Sequence, residues 1–240
     1  MKSRFRIFAG PNGSGKSTLF DYLRKTKNIH TEIYVSADRI ESELLEKSTF
    51  TFNAYRISTS EEEFFEYVKS HGLWKNSEQS DPGNWFSLKG GILKVNKKYI
   101  NSYSASFIAG YLIDKLIITG QSFCFETVMS HESKLDLIKK AKQHGYKTYL
   151  YYVFTRIVDL NIERIKLRVK TGGHDVPEEK VKERYKRSMG LLLGAITLFD
   201  AAFVIDNTYN DFTISGGKKD ENIFWTDSEL PSFFSEFSKG

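Results

Sequence analysis

Along this 240-residue chain, short and nearly unbroken apolar runs alternate with longer stretches whose apolar residues recur every three or four positions. Phe5, Ile7, Phe8 and Ala9 make the first run, and residues 18–24, with Leu19, Phe20 and Leu23, read as the helix after it. Residues 32–37 read as a second strand and 39–46 as a second helix. A helix is expected over 104–119, ended by Gly120, with Ile108, Leu112 and Leu116 on its buried face. Residues 122–126 are almost wholly apolar, as befits a strand covered on both sides. A helix over 132–143 ending at Gly145, a strand over 147–154 and a helix over 157–170 follow. Asp175 with Glu178 has the form of a capping box, and Pro177 suits the first turn of a helix running to about Phe199. Residues 201–207 are the last core strand, and 211–226 read as a hairpin turning at Gly216-Gly217.

Strands alternating with helices predict an α/β fold with a parallel, doubly wound sheet. The pattern breaks over residues 48–100, where a helix over 61–69 is followed by a turn-rich stretch over 75–84 and by Gly90-Gly91. This segment reads as an insertion, with Trp74, Trp85 and Phe86 as anchors of an irregular subdomain in preference to a stacking platform for a base or sugar. The expected organisation is one α/β domain over 1–210, interrupted by that insertion, and a C-terminal hairpin and tail over 211–240.

The connection between the first strand and helix carries the chemistry. Gly10-Pro-Asn-Gly-Ser-Gly-Lys-Ser-Thr18 matches G-x-x-x-x-G-K-[ST], the phosphate-binding loop. Gly10, Gly13 and Gly15 allow a backbone curl that turns successive N–H groups inward, with Asn12, Ser14 and Thr18 completing the cradle. Lys16 adds its charge where a helix begins, and the Ser17 hydroxyl is the expected ligand for the Mg²⁺ that accompanies a nucleoside triphosphate. ATP is expected in preference to GTP. Asp38 follows the second strand, on the side where ligands of open α/β sheets lie, although an aspartate there is also a natural helix cap. Glu126 and Thr127 end the apolar strand where such sheets present an acid near Mg²⁺. Arg164 and Arg168 share one helix face, and Arg184 with Arg187 share another, with Gly172-Gly173 between the pairs. Two arginine-bearing helices over 157–190 form a candidate lid over phosphates, which guanidinium groups bind in bidentate fashion. His174 reads as part of the lid turn.

Composition narrows the partners. A net charge of +5 is modest and favours an anionic partner such as a nucleotide, a nucleotide-sugar, RNA or an acidic protein. One cysteine, Cys124, leaves no intrachain disulfide and fits a reducing compartment. Five histidines without metal-ligand spacing argue against zinc. No apolar run is long enough for a membrane span, so no membrane partner is expected. The sequence reads as that of a cytoplasmic protein.

Taken together, the phosphate loop, Ser36-Ala-Asp-Arg-Ile40, Phe125-Glu-Thr127, Arg168-Val-Lys-Thr-Gly-Gly-His-Asp-Val-Pro177, Arg184-Tyr-Lys-Arg-Ser188 and Asp206-Asn207 resemble the zeta toxin family and its stand-alone, zeta-like predicted ATPases. The resemblance covers residues 4–40 and 103–207. It implies a three-layer P-loop NTPase fold of kinase type and transfer of the ATP γ-phosphate to a hydroxyl, on UDP-N-acetylglucosamine in characterised toxins. It makes Lys16 the P-loop lysine, Asp38 the general base, Glu126 and Thr127 acceptor-binding residues, and Arg168 and Arg184 lid arginines; Arg164 joins the substrate-binding set. It also brings an antitoxin protein into view as a partner. This sequence lacks the His-Pro that follows the acid in the toxins, and 48–100 has no counterpart in them, so the kinase class carries over better than the acceptor. The sequence reading is a cytoplasmic, ATP- and Mg²⁺-dependent small-molecule kinase. A nucleic-acid-directed kinase and a nucleotide-gated binding protein with slow ATP hydrolysis are the alternatives.

Overall fold

The computed structural model describes residues 2–30, 33–75, 81–172 and 175–239. In chain order its elements are β1 (Arg4–Ala9), α1 (Lys16–Lys25), β2 (Tyr34–Ser36), α2 (Ala37–Lys47), β3 (Thr49–Thr51), α3 (Glu61–Ser70), α4 (Gly72–Lys75), β4 (Phe86–Lys89) and β5 (Ile92–Val95). There follow α5 (Ser102–Ile118), β6 (Phe123–Thr127), α6 (Ser133–Gln143), β7 (Lys147–Phe154), α7 (Val158–Lys170), α8 (Glu178–Leu198), β8 (Ala201–Asp206), β9 (Thr213–Lys219), β10 (Asn222–Trp225) and α9 (Leu230–Glu236). The chain divides into two compact units, one of residues 1–34 with 120–240 and one of residues 35–119.

In the first unit, β1 lies between β6 and β7, parallel to both, and β8 continues the parallel set beside β7. The full strand order is β10-β9-β8-β7-β1-β6-β2, so the sheet is mixed but mostly parallel, as the strand–helix alternation predicts. The central strands are apolar because both faces are covered: Phe5, Phe8, Phe123, Cys124, Leu150, Tyr152, Phe154 and Val204 are all fully buried. Phe8 packs with Phe20 of α1 and stacks on Tyr151, fixing the first helix against the strand that feeds it.

The C-terminal hairpin forms, but not around Gly216-Gly217. Those glycines lie inside β9, where a Cβ would run into Trp225 and into the Ala202 carbonyl of β8. The turn falls instead at Asp220 and Glu221, both with positive φ, as a two-residue hairpin loop demands. β9 pairs antiparallel with β8, so the hairpin extends the main sheet. The capping box expected of Asp175 and Glu178 does not form either: α8 starts at Glu178 with Pro177 as its N-cap, which offers no side-chain acceptor. The expected strand residue Glu32, residues 76–80 of the turn-rich run, and Gly173 and His174 of the lid turn lie outside the described residues.

The second unit is built on a three-stranded antiparallel sheet, order β3-β5-β4, with α2, α3 and α5. Its core is aromatic: Phe64 packs edge-on to Phe86 and Tyr111, and Trp74 edge-on to Trp85 and Phe107. Both tryptophans are buried, so they are core anchors rather than a stacking platform. Helix α5 begins at Ser102, two residues earlier than the apolar pattern suggests, because Asn101 and Ser104 form a reciprocal capping box there.

Candidate active site

The loop from Gly10 to Gly15 has the backbone its glycines foretell. All three carry positive φ, 132° at Gly10, 75° at Gly13 and 100° at Gly15. Space is the second constraint. A Cβ at Gly10 would overlap the Val153 carbonyl of β7, and one at Gly13 the Asn161 backbone of α7. Lys16 opens α1, is buried, and donates from Nζ to the Pro11 carbonyl at 2.9 Å. The ammonium therefore lies across the loop, beside the positive end of the helix dipole.

Two asparagines that sequence reasoning missed brace this loop. Asn161 Nδ2 donates to the Asn12 carbonyl and Asn207 Nδ2 to the Ser14 carbonyl, each at 2.8 Å. Both asparagines are buried. Asn161 is held in turn by the Thr155 hydroxyl, and the Asn207 backbone N–H donates to the Phe154 carbonyl at 2.8 Å. The only advance sign was position, since Asn207 ends the motif pair Asp206-Asn207 after the last core strand. Nothing in the local pattern marked Asn161. Asn12 Oδ1, Ser14 Oγ and Asn207 Oδ1 are buried without a hydrogen-bond partner among the described residues. Buried polar atoms of this kind are costly unless a ligand or water meets them. Together with the glycine cradle, they fit a bound polyphosphate.

The register of β6 against β1 sets Glu126 beside Phe8 and Thr127 beside Ala9, at the carboxyl ends of both strands. Ser17 Oγ donates to both Glu126 carboxylate oxygens, at 3.1 and 2.9 Å, and the Tyr34 hydroxyl donates to Oε2. This is an all-oxygen donor set, suited to a hard divalent cation held partly by substrate phosphates. Thr127 Oγ accepts from the Met129 N–H at 3.2 Å, within the turn that follows β6.

Helices α7 and α8 share a small core of Ile162, Ile165, Val176 and Val181. Arg164 is committed to the β8–β9 connection: its Nη2 donates to the Asn207 carbonyl at 2.9 Å and to Asn210 Oδ1 at 2.7 Å, and burial lowers its pKa. Arg168 and Arg184 are both half-buried. Arg187 is exposed and pairs with Glu183 of its own helix at 3.0 Å. A further arginine, Arg156, joins Asp206 at 2.8 Å and Asp227 at 2.9 Å just past the end of β7. In the second unit Asp38 is half-buried, the second residue of α2. It does not cap that helix: the N-cap is Ser36, and no side chain makes the cap bond. No cluster of three or more His, Cys, Asp or Glu suited to a metal occurs among the described residues.

Residues 94–207 match the zeta toxin family model. An uncharacterised protein of Haemophilus influenzae is 41% identical over 63 residues, which are 26% of this chain and 45% of that protein. A chain of the AvrRxo1-ORF1:AvrRxo1-ORF2 complex solved with ATP superposes with a TM-score of 0.63 at 14% identity, over 100% of this chain and 65% of that one. A chain of the PezAT toxin–antitoxin system of Streptococcus pneumoniae superposes with a TM-score of 0.56 at 13% identity, over 98% of this chain and 78% of that one. This chain therefore spans less than half of the sequence relative and about two thirds of the AvrRxo1 chain. The glycine cradle, the serine–glutamate pair at the strand ends and the match over 94–207 converge: residues 94–207 resemble the zeta toxin family, and the chain shares the α/β fold of these solved structures.

Proposed function

We propose that this protein is a phosphotransferase that moves the γ-phosphate of ATP to a hydroxyl of a small molecule, a nucleotide-sugar such as UDP-N-acetylglucosamine being the acceptor class the family favours. The observation that carries the reading is the Ser17–Glu126 pair beside the phosphate loop. A phosphate loop alone serves any nucleotide-binding protein. A carboxylate hydrogen-bonded to the loop's serine, at the carboxyl end of the neighbouring strand, is what metal-assisted transfer needs.

In this reading the N–H groups of Gly10–Thr18 and the Lys16 ammonium hold the triphosphate. Ser17, with Glu126 behind it, holds Mg²⁺, which when bound neutralises charge between the terminal phosphates. Asp38 takes the acceptor proton. Arg168 and Arg184 stabilise charge on the moving phosphoryl group, and Glu126 and Thr127 help to hold the acceptor. Arg164 keeps the connection after β8 in place. PezAT is a toxin–antitoxin system and AvrRxo1-ORF1 was solved with AvrRxo1-ORF2, which supports an antitoxin-like protein as partner here. No helix among the described residues is long and apolar enough to cross a membrane.

The deciding experiment incubates the purified chain with γ-labelled ATP, Mg²⁺ and separate pools of nucleotide-sugars, nucleosides and RNA. Label appearing on a small-molecule pool supports the kinase. Release of label only as inorganic phosphate, with every pool unlabelled, overturns it in favour of a nucleotide-gated hydrolase.

A further inference from the structure

We infer that Tyr34 is a positioning residue for the Mg²⁺ site, acting through Glu126 on Ser17; the inference rests on the phosphotransferase reading above. The chain of support ends on Ser17. Its hydroxyl donates to both oxygens of Glu126, so its proton is directed toward the carboxylate and its lone pairs are left for a cation. That polarity lasts only while the carboxylate keeps its orientation. Glu126 is half-buried at a strand end, and Ser17 alone cannot lock it, because a serine hydroxyl hydrogen rotates about the Cβ–Oγ bond to suit its acceptor.

Tyr34 supplies the fixed point. Its hydroxyl donates to Glu126 Oε2, and its ring is 8% exposed and stacked on Phe20 with centroids 3.9 Å apart. Phe20 is itself fully buried in α1, one turn beyond Ser17, and packs edge-on to Phe8 of β1. The order of support runs from the sheet to Phe20, Tyr34, Glu126 and finally Ser17. A rigid aromatic ring thus aims a carboxylate, and the carboxylate aims the hydroxyl that meets the metal. Outer partners of this kind typically change metal affinity about 10–100-fold when removed. No motif marks Tyr34, which precedes the Ser36-Ala-Asp segment and would pass for a core residue of β2.

The test uses Tyr34→Phe, which keeps the ring, its stacking and its burial and removes only the donor. A fluorescent ATP analogue is titrated against wild type and variant without Mg²⁺ and then across a Mg²⁺ series, with thermal melts in parallel. Without Mg²⁺ the variant should bind the analogue within about twofold of wild type, since the donor removed is the one that holds Glu126. The Mg²⁺ concentration giving half of the metal-dependent gain should rise about tenfold. Glu126→Gln should shift it in the same direction, and the double variant should be no worse than Glu126→Gln alone. An unshifted Mg²⁺ midpoint in a folded Tyr34→Phe overturns the inference and leaves the kinase reading standing. Wild type that fails to bind the analogue at any Mg²⁺ concentration overturns both.

Discussion

At the scale of single residues, the proposed chemistry separates binding from transfer. Lys16 is buried beside the phosphate loop but belongs to a helix start rather than to an apolar cluster. Lys16→Ala should therefore abolish detectable Mg·ATP binding in calorimetry while moving the melting temperature by only a few degrees. Asp38 has the converse signature. Asp38→Asn keeps the shape and, because the carboxylate makes no helix cap, disturbs no cap bond. It should bind Mg·ATP as wild type does and lose about 10²–10⁴ in transfer rate once an acceptor is in hand, the range a general base contributes. Equal rates in the two proteins would remove Asp38 from the mechanism.

At the scale of elements, the phosphate loop is shaped by strands and helices remote in sequence. The Asn12 carbonyl is held from α7 and the Ser14 carbonyl from the end of β8, so the loop's curvature is a tertiary property as much as a glycine property. Asn161→Ala removes the side-chain donor to the buried Asn12 carbonyl and one acceptor of the Thr155 hydroxyl, which keeps its bond to the Ile157 carbonyl. The cost should be about 1–3 kcal/mol in denaturant unfolding. A weaker Mg·ATP complex should accompany it, because the loop N–H groups lose their alignment. Asn161→Asp is the informative contrast, since it keeps the acceptor for Thr155 but replaces the donor to Asn12. Unchanged stability and affinity in Asn161→Ala would show that the glycines alone set the loop.

At the scale of the whole molecule, the first unit is held at the end of its sheet away from the phosphate loop by Asp200. Its carboxylate accepts from the Thr148 N–H at 2.7 Å and the Thr148 hydroxyl at 2.8 Å, and it pairs with Lys142 at 3.4 Å. Burial alone would raise its pKa, but the Thr148 bonds and Lys142 outweigh that and hold it below the ordinary aspartate value. A carboxyl whose folded pKa is depressed contributes stability that is complete above its unfolded value, about 3.9, and is lost as pH falls through the lower folded value. Asp200→Asn should accordingly lower unfolding stability at pH 7, and the difference from wild type should shrink below about pH 4. Guanidinium titrations of both proteins from pH 7 down to pH 3 would check this. A difference independent of pH would assign the effect to lost hydrogen-bond geometry rather than to ionisation.

What the chain determines by itself is local. The apolar runs at Phe5–Ala9, 122–126 and 147–154 announce buried parallel strands because both their faces are apolar, and the spacing of Gly10, Gly13, Gly15, Lys16 and Ser17 announces a phosphate cradle because few other residues tolerate positive φ. The tertiary structure alone decided which distant groups meet there. Sheet order sets β6 beside β1, which delivers Glu126 to Ser17 and to Tyr34, while α7 and β8 bring Asn161 and Asn207 behind the loop. Short polar side chains such as these carry no periodic signal; their role arises from what a buried carbonyl lacks. The hairpin makes the same point in reverse. Gly216-Gly217 looks like a turn in sequence, but Trp225 and the Ala202 carbonyl crowd that position, so the glycines serve close strand packing and the turn moves to Asp220-Glu221.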